Sequence, residues 1–200
     1  MIDEYNNDRT GWARFSDDHV MRFHLARSVS DVARRDSDAL SALAQLVARG
    51  IVGKSSYDVT TFLMCNPSDA TAFKPDPTVT ECVKFTRRWG SDITWVANMH
   101  AFRSPYPSDL RKRAYGFRGD DAENDRAILF ACSIATRVIA AWGIDGALDG
   151  RAAKVLRLLA EHSYDLHHLG LTKDGFPKHP LARGKHRIPA EQRPIAWSTP

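Results

Sequence analysis

Several residues with ligand-binding side chains fall where the backbone should be turning. Asn66, followed by Pro67 and Ser68, ends the apolar run at 60–65. Asn98 ends a second run at 93–97, and His100 follows it closely. Trp142-Gly143 closes a third at 138–141, and His179, within Lys178-His179-Pro180, follows a fourth at 165–171. Amides and imidazoles both donate and accept hydrogen bonds, so they suit recognition of a polar, planar ligand. Asp76, just before Pro77, suits either a helix N-cap or a general base. Phe73 offers a ring that either stacks on a ligand or covers the core. Each has an ordinary reading too: Asn-Pro is a common turn pair, and a loop histidine is usually solvated. No spacing of His, Cys or Asp resembles a zinc site, so the expectation is no metal and no cofactor.

The elements that must position these residues can be read from periodicity. Each apolar run is long enough for a strand, and helical patterns separate them. Residues 38–49 carry Leu40, Leu43, Ala44 and Val47 at helical spacing, with Gly50 as a stop. After Asp76, Val79, Cys82, Val83, Thr86 and Trp89 form one face, with Pro77 in the first turn and Gly90 at the end. Helices are also expected over 123–137 and 151–162. Alternation of strand and helix implies a three-layer α/β/α sandwich around a mostly parallel four-stranded sheet. Such sheets bind ligands at the carboxyl ends of their strands, where these residues cluster. Residues 20–27 read as an edge or half-exposed strand, 1–18 as a loose lead-in and 182–200 as an irregular tail. The whole chain, 1–200, reads as one domain.

Composition narrows the partners. The chain has 200 residues, 43% hydrophobic, enough for a sizeable core. It lacks a signal-peptide pattern and an apolar run that could span a bilayer, so the expectation is a cytoplasmic protein with no membrane partner. Its three cysteines sit in apolar segments and read as reduced core residues. A formal charge of +4 permits a nucleic-acid partner. Arg103 and Arg118 flank a segment containing Tyr106, Tyr115 and Phe117, and Arg183, Lys185 and Arg187 stud the tail. Basic residues interleaved with rings suit phosphate contacts and base stacking, although charged loops are often only solvated.

Two resemblances arise from these motifs. Asn66-Pro67-Ser68, Asp76-Pro77-Thr78, Arg88-Trp89-Gly90, Asn98, Ala141-Trp142-Gly143 and His179-Pro180-Leu181 resemble a bacterial and phage family known only as a domain of unknown function. Relative to that family, residues 31–50 look like an insertion. The order of strand-end motifs is also similar to the uracil-DNA glycosylase superfamily. That likeness implies a fold of the same type and a DNA glycosylase that excises a modified, even hypermodified, pyrimidine by hydrolysis, using no cofactor. It matches Asn66 to a water-positioning residue and His179 to one that stabilises the departing base. Asn98 matches by its place at the second strand end. Pro67, Ser68, Phe73, His100 and Trp142 would then contact the base, and Arg103, Arg183, Lys185 and Arg187 the DNA. Ser68 stands where that superfamily has glycine, and Leu181 where it has serine. A nucleotide- or nucleoside-processing hydrolase and a non-catalytic reader of modified bases remain open alternatives.

Overall fold

A computed structural model describes residues 1–106, 108–113, 117–119 and 122–197. Strands β1 (Ile2–Tyr5), β2 (Gly11–Phe15) and β3 (Arg22–Ser28) form an antiparallel meander. Helices α1 (Asp31–Arg35) and α2 (Ala39–Arg49) follow. Strand and helix then alternate through β4 (Val59–Met64), α3 (Pro77–Arg88) and β5 (Ile93–Asn98). Next come α4 (Ser108–Lys112), α5 (Ala122–Ser133), β6 (Arg137–Ala140), α6 (Arg151–Glu161), β7 (Leu166–His168) and β8 (Ile195–Trp197).

These strands make a single mixed sheet in the order β1-β2-β3-β5-β4-β6-β7-β8. The four strands expected from the apolar runs are present, and their pairings are parallel. The expected four-stranded sheet is nevertheless half of what forms: β3 joins β5 antiparallel, and β8 joins β7 antiparallel. Residues 1–18 are therefore not a loose lead-in, because β1 and β2 lie there and every residue of β2 is buried. Their pattern is obscured by Arg14, whose charge is met across the ladder by Asp3 at 2.6 Å. β3 is interior rather than an edge, since β2 and β5 occupy both its sides. The tail likewise contributes β8, and Ile188 is buried within it.

Helices cover both faces, and strand alternation divides the core between them. Leu63 faces the cluster formed with α2, α5 and α6 through Leu40, Leu43, Ile128, Val155 and Leu159. Its neighbours Phe62 and Met64 face α3 through Val79, Cys82 and Phe85. Full burial of a side chain such as Phe62 stabilises by about 1.5–3 kcal/mol. α3 starts where expected because Asp76 Oδ1 accepts the Val79 N–H at 2.7 Å, and proline at the first turn loses no bond. α2 ends at Gly50, which takes a left-handed conformation (φ 64°) as a C-cap. All three cysteines are buried and free. No helix among the described residues is long and apolar enough to cross a membrane.

Candidate functional site

At the carboxyl ends of β4, β5 and β6 lies a cleft of about 430 Å³. Asn66, Ser68, Asp76, Asn98, Trp142 and His179 all line it, brought together from distant parts of the chain. Backbone pairing beyond the strand ends shapes it. Met99 N–H donates to Met64 O at 2.8 Å, and Ser104 N–H to Pro67 O at 2.8 Å, so the 99–104 segment tracks the Asn66 loop. Asn66 Nδ2 donates to Ser104 O at 2.9 Å and Pro67 O at 3.1 Å. Carbonyls take only donors, so this fixes the amide orientation and leaves Oδ1 as the acceptor for a ligand or water.

His179 is held by a turn that returns toward β6. Gly143 N–H donates to Pro177 O at 3.0 Å, and Gly143 adopts φ 64°, beside the His179 Cβ. The left-handed backbone favours glycine there. The Leu181 N–H donates to His179 Nδ1 at 3.1 Å. Burial lowers the ring's pKa, against a smaller opposing pull from Asp76. At neutral pH the ring is thus neutral with its proton on Nε2, a hydrogen-bond donor.

Two buried polar groups complete the floor. Asn98 is 1% exposed, and among the described residues neither its Nδ2 nor its Oδ1 has a partner. Arg22, which the sequence reading did not single out, is 2% exposed and lines the same cleft. Its Nη1 donates to Ala70 O at 2.8 Å, while Nε has no partner among the described residues. Burial pushes its pKa down to about 9, with Asp76 opposing and Arg103 and Arg27 reinforcing the shift. The cleft's carboxylates are Asp76, whose Oδ1 caps α3, and Asp145, paired with Arg111. Cys65 also lines the wall, and burial pushes its thiol up to about 12, leaving it protonated and unreactive.

Other expected residues lie elsewhere. Pro67 is buried outside the cleft lining; its carbonyl serves the Asn66 and Ser104 bonds. His100 is fully buried away from the cleft, because the backbone leaves strand geometry after Asn98. Phe73 is 61% exposed on the 70–76 loop and neither lines the cleft nor covers the core. Arg103 donates to His19 O at 3.0 Å and lies over the Phe15 ring, beside a shallow groove that also includes Ser68. Arg118 is buried and paired with Asp149, so it is not a surface charge, and Tyr115 lies outside the described residues. Arg183 and Arg187 border a separate groove with Pro77, Glu81 and Leu181, with exposed Lys185 on the turn between them. Among the described residues no group of three or more His, Cys, Asp or Glu side chains is placed to hold a metal ion.

The fold and cleft together define an α/β protein with a mixed sheet and a polar strand-end pocket. The chain belongs to the family described as Protein of unknown function (DUF1643), whose model matches residues 49–181. That span contains every cleft residue named above except Arg22. No curated protein and no solved structure matches the chain.

Proposed function

We propose that the chain hydrolyses the N-glycosidic bond of a modified pyrimidine in DNA, with the extruded base held in the strand-end cleft. What carries this reading is Asn98: a buried amide with both polar atoms open, in the cleft that Asn66 and His179 also line. A buried amide left unmatched is costly, and a pyrimidine edge presents the adjacent donor and acceptor that match it. In this scheme Asn66 Oδ1 accepts a hydrogen bond from water and directs its oxygen at the anomeric carbon. The carbon–oxygen bond forms as the carbon–nitrogen bond breaks, and the water's proton passes to solvent. His179 Nε2–H donates to the departing base, whose negative charge is thereby stabilised until it is protonated. Arg183, Lys185 and Arg187 would contact phosphates near the opening.

The test is incubation of the protein with DNAs carrying different modified pyrimidines, followed by alkali. Strand cleavage at one modified position, lost in Asn66→Ala, is the expected outcome. Intact strands for every base, with protein shown to be folded by circular dichroism, would rule the reading out.

A further inference from the structure

Among the described residues, four arginines are at least nine-tenths buried: Arg14, Arg22, Arg118 and Arg151. Arg14 pairs with Asp3, Arg118 with Asp149 and Arg151 with Asp125. Arg22 alone of these forms no ion pair among the described residues. A buried guanidinium is costly without an anion, and a pKa pushed down to about 9 still leaves the group protonated at neutral pH. Asp76, on the wall of the same cleft, supplies the largest charge effect at Arg22 and opposes the cost of burial, and Arg103 and Arg27 offset part of it with positive potential. Arg27 is itself committed to the Ala26 and Thr71 carbonyls. The bond from Nη1 to Ala70 O anchors the Arg22 guanidinium, and Nε is left unmatched beside the cleft that Asn98 floors.

We infer that Arg22 is an anion-binding residue of the cleft, and that the ligand carries an anionic oxygen group alongside the edge read by Asn98. This rests on the reading of the cleft as a nucleobase site. Carboxylates and phosphates both fit a guanidinium through paired N–H donors. The anion is therefore either a carboxylate substituent on the base or the phosphate of a nucleotide. The placement of Arg22 on β3, outside residues 49–181, means that the N-terminal meander supplies the selectivity for charge.

The experiment is calorimetric titration of the full chain with two matched pairs. One pair is 5-carboxy-2′-deoxyuridine and its neutral isostere 5-carbamoyl-2′-deoxyuridine; the other is thymidine 5′-monophosphate and thymidine. In the wild type, one anionic probe is expected to bind about 10–100-fold tighter than its neutral partner, the range of a charge-assisted hydrogen bond. The pair that shows the preference identifies the source of the anion. Arg22→Met should abolish the preference without weakening the neutral probe, and Arg22→Lys should keep part of it. The wild-type comparison needs no variant, so a misfolded Arg22→Met leaves the inference exposed to refutation. It is overturned if neither anionic probe is preferred, or if the preference survives in folded Arg22→Met. Base release from DNA separates the two readings. Release of a neutral modified base with no anion preference removes the role of Arg22 and leaves the glycosidic reading standing. Arg22-dependent preference with no base released from any DNA does the reverse.

Discussion

The helix-covered face of the sheet and the strand-end cleft each bury an arginine and hold a histidine, and they differ in how they meet the arginine's charge. Under α5 and α6, Arg151 donates from Nε to Met99 O at 2.6 Å and pairs with Asp125, which Lys154 also meets at 2.8 Å. On the same side His24 Nδ1 accepts the Trp95 indole N–H at 3.2 Å. In the cleft, Arg22 forms no ion pair among the described residues, while His179 Nδ1, like His24 Nδ1, accepts a hydrogen bond, here from the Leu181 N–H. Both surroundings are desolvated, so burial alone does not distinguish them. What differs is the charge: each guanidinium keeps one nitrogen unpartnered among the described residues, Arg151 Nη2 and Arg22 Nε, but only Arg151 meets a carboxylate.

The largest effect should come from breaking the completed side. Arg151→Met strands the Met99 carbonyl and leaves the half-buried Asp125 carboxylate with Lys154 alone, at a cost of about 3 kcal/mol, the lower end for a broken buried ion pair. For a chain of this size that lowers the melting temperature by about 6–12 °C, measurable by calorimetry. Next comes the cleft's own chemistry. His179→Ala should slow single-turnover base release by about 10²–10³-fold, the loss of one donor to a developing anion, with the melting temperature little changed. An equal loss for bases of every N1 acidity would remove the leaving-group role. The comparison is sharpened most by Arg22→Met without ligand. Because only the Ala70 carbonyl is stranded and no ion pair is broken, its stability should fall by no more than about 1–2 kcal/mol. A fall as large as that of Arg151→Met would show that the two arginines do the same work.

The effect that is smallest at neutral pH, and grows only in acid, concerns His24. Burial, with Arg14 adding to it, pushes the His24 pKa down to about 3. The unfolded chain therefore takes up a proton on His24 near pH 6.5 that the folded chain refuses. The stability contribution is complete above pH 6.5 and declines as pH falls toward about 3, by about 1.4 kcal/mol per pH unit. His24→Gln should flatten that acid limb in urea titrations. An unchanged slope would mean that other groups control acid unfolding.

The parallel half of the sheet was legible because its strands are apolar runs closed by Asn, Gly or Asn-Pro. β5 forms over Ile93–Asn98, the expected span, and α3 begins at Pro77 behind the Asp76 cap. Convergence of Asn66, Asn98 and His179 on one cleft follows from that topology. The antiparallel additions were not legible, because their charges find partners only in the tertiary structure. Arg14 in β2 looks solvent-facing until Asp3 of β1 is seen across from it. Arg22 and His24 interrupt β3 with polar residues, and only insertion between β2 and β5 buries them. Their alternation with Phe23 and Leu25 was the available signal: a strand covered on both faces must bury its polar parity as well. The position of Phe73, exposed and outside the cleft lining, was not legible, because an aromatic ring in a loop carries no direction in sequence.

The pairing of β3 with β5 has a consequence for how the chain is made. Leu25 lies opposite Val96, about seventy residues later in sequence. A ribosome adding about 5–20 residues per second leaves β3 waiting roughly 4–14 s for its neighbour. Through that interval the β1–β3 meander can form, but one edge of β3 presents unpaired N–H and C=O groups on a strand whose Phe23, Leu25 and Ala26 still await their cover. Such an edge invites pairing with the same edge of another nascent chain. The strand that brings Arg22 to the cleft is thus also the one most exposed to misassembly during synthesis, and slowing initiation or lowering growth temperature should raise soluble yield.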